Sequence, residues 1–257
     1  MIWLLLSCST PADPSPTSAC EGLYGDPNEN TGLSDAECWP SVGEGEGDWS
    51  PRRWDDASLR ALERWSLEVD PEPLSTDPYL SDPPAAEGVV CALSFGEDTY
   101  SMASYPSVAA AHEAGAVITH GGACGLCSSL EDLAVYAGTP DLTQPVRQCG
   151  LQSMADGVEA GQACLEGLGF TPACASIWAY NVEHTRQECQ DICLSLLSDP
   201  YHQEDGSLNA CLQCDEDESG PVFKAVAGRT RRNSGLASAL CRPCDTVWRI
   251  DHDYPEL

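Results

Sequence analysis

Residues 171–196 read TPACASIWAYNVEHTRQECQDICLSL, and their spacing predicts one long helix. Thr171 offers a side-chain oxygen to the free N–H groups of the first turn, and Pro172 has no N–H to lose at the first helical position. Cys174, Trp178, Val182, Thr185, Cys189, Cys193 and Leu196 recur close to the 3.6-residue period, which gives the helix one inward stripe. Cys189 and Cys193 sit one turn apart with side chains that do not face each other. Each is therefore expected to tie the helix to a different neighbour. Three cysteines on one buried stripe make cross-linking part of the fold.

Working outward, Gly157 to Leu168 predicts a second helix with Cys164 free to bridge. On the N-terminal side, Val89 to Phe95 is an apolar run, Tyr100 to Tyr105 alternates as a strand does, and Ser107 to Glu113 is an alanine-rich helix. Gly115 to His120 is a β-branched strand, and Ser128-Ser129-Leu130-Glu131 offers a capping box to a helix ending near Ala137. The fold class is thus α+β, a disulfide-rich and mostly helical domain with a small β-α-β unit over residues 88–257. Ahead of it, residues 51–87 carry a short amphipathic helix with Trp54, Leu62 and Trp65, then a proline-rich linker or extended wrap from Pro71 to Ala86. Residues 8–50 are dominated by Pro, Ser, Gly, Asp and Glu and cannot bury enough apolar surface to order themselves, so they read as an irregular acidic tether. Cys20 and Cys38 inside it are expected to pair locally.

Ile2 to Leu6 is apolar and runs into Ser7 and Cys8. This start resembles the lipobox of bacterial lipoproteins. The resemblance implies that residues 1–7 are a signal segment and that Cys8 carries a lipid anchoring the chain to a membrane. It places the protein in the bacterial cell envelope, with Ser9 favouring the outer membrane. Setting Cys8 aside leaves 14 of the 15 cysteines, an even number that allows up to seven bridges in an oxidising space. Cys124-x2-Cys127, Cys211-x2-Cys214 and Cys241-x2-Cys244 also have zinc-knuckle spacing, but an exported chain favours bridges, so no metal and no cofactor is expected. No later stretch approaches the ~18 uninterrupted apolar residues of a membrane span. With 41 acidic against 12 basic residues the net charge is −29, which argues against nucleic acid as a partner. Nothing in the sequence specifies a protein partner.

The stretch in which chemistry is expected is Thr119-His120-Gly121-Gly122-Ala123-Cys124-Gly125-Leu126-Cys127-Ser128. A strand ends, glycines turn the backbone, and Cys127 and Ser128 reach a helix N-terminus whose free N–H groups favour an anion or a thiolate. Three chemistries suit that geometry. Residues 100–137 resemble the start of a thioredoxin-type domain, which implies a thiol-disulfide oxidoreductase with Cys124 attacking and Cys127 resolving. The Cys-Gly-x-Cys that opens a helix is also similar to that of cysteine peptidases, which implies a hydrolase with Cys127 as nucleophile and His120 as base. The third is a small anionic ligand held without catalysis between Gly121, Gly122 and Ser128 on one side and Arg229, Arg231, Arg232 and Asn233 on the other. Guanidinium forks match carboxylate, sulfate or phosphate.

Each feature has a plainer reading as well. Cys124 and Cys127 serve equally as staples, and the arginines could neutralise Asp215-Glu216-Asp217-Glu218, which lacks the ligand pattern of a calcium loop and reads as a solvated turn. His112, His184, His202 and His252 read as exposed or structurally bonded. Trp178 and Tyr180 read as core and rim of the long helix. Six of the twelve cations (Lys224, Arg229, Arg231, Arg232, Arg242 and Arg249) form a basic island in the last 34 residues of an acidic molecule.

Overall fold

A computed structural model describes residues 23–25, 28–34, 38, 51–81, 88–243 and 246–255. The lipobox-like start, Cys8, Cys20, Cys244 and most of the expected tether lie outside the described residues. The chain is α+β and disulfide-rich, as read from the sequence.

The sheet grows from Val90–Phe95 (β2), whose first four residues are all buried. Thr99–Tyr105 (β3) pairs antiparallel on one side, and Val117–Gly121 (β4) pairs antiparallel on the other. The two-residue strand Ser66–Leu67 (β1) extends β3 in parallel, which gives the order β1-β3-β2-β4. Both faces of β2 are covered. Val90 and Ala92 pack against Ala111 and Ala116 beside the short helix Val108–Glu113, while Leu93 on the opposite face joins the main core. The β-α-β unit is therefore split: β3 and β4 run parallel with β2 inserted between them.

Asp56–Leu62 (α1), capped by Asp55, buries Leu62 in the main core. With Val108–Glu113 counted as α2, the next helix is Leu130–Gly138 (α3), with Leu130, Leu133 and Tyr136 inward. Its N-cap is Ser129, one residue later than the capping box suggests, and its hydroxyl accepts from the Asp132 N–H. That shift frees Ser128 for another use. Thr143–Asp156 (α4) and Val158–Gly167 (α5) form a hairpin stapled by Cys149–Cys164. Pro172–Ser195 (α6) is the long helix, capped by the Thr171 hydroxyl as its sequence requires. Ala210–Cys214 (α7), a π-helical turn at Asp215–Ser219 and Gly220–Ala227 (α8) complete the helices.

Six disulfides link described residues. Three correct the expectations above. Cys38 bonds Cys241, 203 residues away, and not Cys20. Cys189 and Cys193 do not bond each other, but both reach the same neighbour, α7, through Cys214 and Cys211. The reason is that α7 runs beside the end of α6 and offers its own one-turn pair. The Cys211-x2-Cys214 knuckle is thereby consumed, and no cluster of three or more metal-ligating side chains occurs among the described residues. None of the described helices is long and apolar enough to cross a membrane.

Candidate functional site

Cys124 bonds Cys91 on β2, and Cys127 bonds Cys174 in the first turn of α6. They are not bonded to each other. This corrects the oxidoreductase reading, which needs an exchangeable Cys124–Cys127 bond, and the hydrolase reading, which needs a free Cys127 thiol; Cys127 is moreover fully buried. Both sulfurs are staples that pin the turn to the sheet below and the long helix behind.

His120 and Ser128 are likewise closed in. The Ser128 hydroxyl donates to His120 Nε2 at 2.7 Å and accepts from the Gly125 N–H, while His120 Nδ1–H donates to Gly121 O. On a surface such a pair could be nucleophile and base. Here both side chains are fully buried, and burial, followed by the Arg229 charge, drives the imidazole pKa down to about 3. The pair is a neutral structural bond.

The segments 120–128 and 229–234 do meet, because Asn233 Nδ2 donates to Gly121 O at 2.7 Å. What fills the space between them is protein. Arg229 is fully buried, and all five of its N–H groups are engaged: Nε with Cys127 O, Nη1 with Thr119 O and Ser234 Oγ, Nη2 with Thr119 Oγ1 and Ser128 O. Arg231 donates to the carbonyls of Tyr136, Thr139 and Ala237 and lies over the Tyr136 ring. The backbone amides of the turn are occupied too, with Leu126 N–H on Val226 O, Cys127 N–H on Ala227 O and Gly122 N–H on Val89 O. Gly125 permits this closeness, since a Cβ there would lie 2.4 Å from Val226 O. Apart from Arg232, the groups expected to grip an anion are therefore engaged within their own chain. His252, read as a residue of an acidic tail, is buried in the same assembly. It donates to Ser234 O, with its pKa pressed to about 3 by burial and then by Arg229.

The open space lies on the other side of the arginine segment. A cleft of about 760 Å³ runs between α4, α6 and residues 223–242 and 246–248, within the range of small-molecule sites. Its floor is the aromatic pair Trp178 and Phe223, with ring centroids 4.7 Å apart, flanked by Leu142, Val146 and Val182. Six cations line it, Arg147, Arg186, Lys224, Arg231, Arg232 and Arg242, against three anions, Glu183, Asp215 and Glu216. Half of the chain's twelve basic residues thus border one cleft of a molecule with net charge −29.

The π turn arranges the polar end. Widening the helix at Asp215–Ser219 turns Asp215 toward α6, where its carboxylate accepts from Thr185 Oγ1 at 2.5 Å and Asn181 Nδ2 at 3.2 Å. Burial raises the Asp215 pKa, partly offset by the Thr185 bond. Glu216 points the other way and bridges Lys224 at 3.0 Å and Arg242 at 2.5 Å. Burial pulls the Glu216 pKa upward, but the charges of Arg242, Lys224 and Arg232 outweigh it and hold the carboxylate ionised. Half of the acidic run thus departs from the solvated turn expected of it: Asp217 and Glu218 are exposed, but Asp215 and Glu216 turn inward, and Glu216 pairs with Lys224 and Arg242, not with Arg229 or Arg231. Arg232, half-buried at the cleft wall, makes no side-chain hydrogen bond among the described residues. Of the ligand-binding residues read from the sequence, only Arg231, Arg232 and Asn233 border this cleft. Trp178, Phe223, Arg147, Arg186, Lys224 and Arg242 were missed as a site, although the crowding of scarce cations near the C-terminus was the signal pointing to it.

Residues 158–250 match the model of a family of unknown function (DUF8771). The match takes in α5 to α8, both bridges between α6 and α7, and the arginine segment; the sheet and α4 lie before it. No curated protein and no solved structure matches the chain.

Proposed function

We propose that the protein is a non-catalytic binding module of the bacterial cell envelope that holds a small anion-bearing molecule in the cleft between α4 and α6. The disulfides themselves mark a chain that matures in an oxidising, extracytoplasmic space. The observation that carries the binding reading is the reversal of charge: the cleft has a cation excess while the molecule as a whole is strongly acidic. A positive, low-dielectric cleft concentrates anions locally even when the distant field repels them. Anchoring through a lipid on Cys8, with outer-membrane sorting by Ser9, is the remaining part of the proposal and is supported by the Leu5-Leu6-Ser7-Cys8 sequence.

The test is titration of the oxidised protein with anilinonaphthalene sulfonate and with a cationic dye of similar size, followed by fluorescence. Saturable 1:1 binding of the sulfonate, weakened at least tenfold by Arg232→Glu, is expected. Equal affinity for both dyes, or none for either, overturns the reading. Mass spectrometry of protein extracted from membranes reports whether Cys8 is acylated.

A further inference from the structure

We propose that the occupant of the cleft is a free single-chain amphiphile with a carboxylate head, of the fatty-acid class. The inference rests on the anion-binding reading above and adds the identity of the uncharged part.

Three observations point to a chain instead of a compact anion. The cleft is long: its lining follows α6 from Trp178 to Leu194, about 24 Å at 1.5 Å per residue. The surface it exposes is chiefly apolar although Asn181, Thr185, Arg186 and Gln190 interrupt the α6 wall, whereas a small hydrophilic anion would call for converging donors along the whole length. Large exposed apolar side chains also gather at its edges: Leu151 is 58% exposed, Met154 54%, Leu194 53% and Leu197 57%, and all four border the cleft. Elsewhere on the described surface such residues are scattered, which is ordinary; a cluster that rims a groove marks a binding surface.

The cations supply the head position. Lys224 and Arg242 converge on Glu216, and Arg232 stands beside them with its guanidinium free of side-chain hydrogen bonds among the described residues. Asp215 also acts on Lys224 and Arg242, so three cations face two carboxylates, and the excess of one is what a ligand carboxylate would complete. Carboxylate and guanidinium match as planar bidentate partners. The alkyl chain then lies along the α4–α6 wall, covering the apolar rim.

The experiment is isothermal titration of the oxidised full-length chain with octanoate, decanoate and dodecanoate below their micellar concentrations, beside dodecanol, dodecyltrimethylammonium and acetate. About 0.8 kcal/mol per buried methylene corresponds to roughly tenfold tighter binding for each two carbons added. That progression is expected for the carboxylates, with Arg232→Glu weakening dodecanoate at least tenfold and leaving the unfolding midpoint unchanged. Leu197→Asp, at an exposed rim position, should weaken dodecanoate and spare acetate. Binding of anions that does not depend on chain length overturns this inference and leaves the anion-binding reading standing. Dodecanol or the ammonium compound binding as tightly as dodecanoate, or no binding at all, overturns both. Capture by phosphatidylglycerol vesicles with no response to free dodecanoate overturns the single-chain assignment.

Discussion

Replacing Arg229 by lysine separates a structural clamp from a ligand fork. The guanidinium serves five acceptors, Cys127 O, Thr119 O, Thr119 Oγ1, Ser128 O and Ser234 Oγ, at 2.6 to 3.2 Å and with no exposure to solvent. A lysine keeps the charge but carries three donors on a single atom, so at least two of these acceptors lose their partner. Each buried acceptor left unpaired costs about 1–3 kcal/mol; since Thr119 Oγ1 keeps the Tyr254 hydroxyl, one or two such losses set the expected cost at roughly 1–6 kcal/mol. Arg229→Met removes every bond and should lose at least as much, although it also removes a desolvated charge. The assay is urea unfolding of the oxidised variants at neutral pH, read as a fall in midpoint at constant slope. A loss below about 1 kcal/mol for Arg229→Lys, together with loss of anion binding, would refute the clamp and return Arg229 to the ligand.

Other outcomes follow from the same contacts. His120 and His252, both held near pKa 3, refuse a proton that the unfolded chain accepts below about 6.5; stability is complete above that pH and falls as pH drops toward 3. Asp132 acts in the opposite sense. Its pKa is raised to about 6 by burial, against the hydrogen bonds from Ser129 and Thr171, so it adds stability as pH falls from 6 toward 4. From pH 7 to 5 each histidine removes roughly 2 kcal/mol and Asp132 restores about 1, a net loss of about 3 kcal/mol by urea midpoint. Gly125→Ala forces a Cβ against Val226 O at 2.4 Å and the Ala227 carbonyl carbon at 2.6 Å, both backbone atoms; an overpacking loss of about 1–3 kcal/mol by calorimetry is expected. Opening Cys127–Cys174 as a double serine variant releases a 47-residue loop, for which chain entropy gives about 4 kcal/mol in the same assay.

Much of the architecture was legible where local chemistry and tertiary packing agree. Thr171-Pro172 and the stripe from Cys174 to Cys193 specify α6 because the cap, the proline and the apolar period all say helix. The β-branched run before His120 specifies β4 for the same reason. Helix α4 was not legible: TQPVRQCGLQSMAD has Pro145 and Gly150 in it and only a weak apolar stripe, and it is held by packing on α5 and α6 and by Cys149–Cys164. The segment Asp215–Ser219 misleads because four acidic residues in a row look solvated. Thr185, Asn181, Lys224 and Arg242, which make it helical, are distant in sequence or lie past the next turn.

The site was misread for a related reason. A run containing Arg229, Arg231 and Arg232 shows charge but not whether carbonyls converge on it, and only Arg232 of the three is left without such partners among the described residues. The cysteine spacing Cys124-x2-Cys127 is compatible with exchange, metal or scaffold; the choice depends on Cys91 and Cys174, which the turn itself does not reveal. The cleft is assembled from α4, α6 and the C-terminal segment, so no single window of sequence contains it.

The measurement closest to the central claim is peptide mapping of the unreduced protein by mass spectrometry. If the cysteines are scaffold and the chemistry lies in the cleft, peptides joined through Cys91–Cys124 and Cys127–Cys174 are recovered. A peptide pair joined through Cys124–Cys127, or thiols at these positions recovered free or bound to metal, contradicts the account.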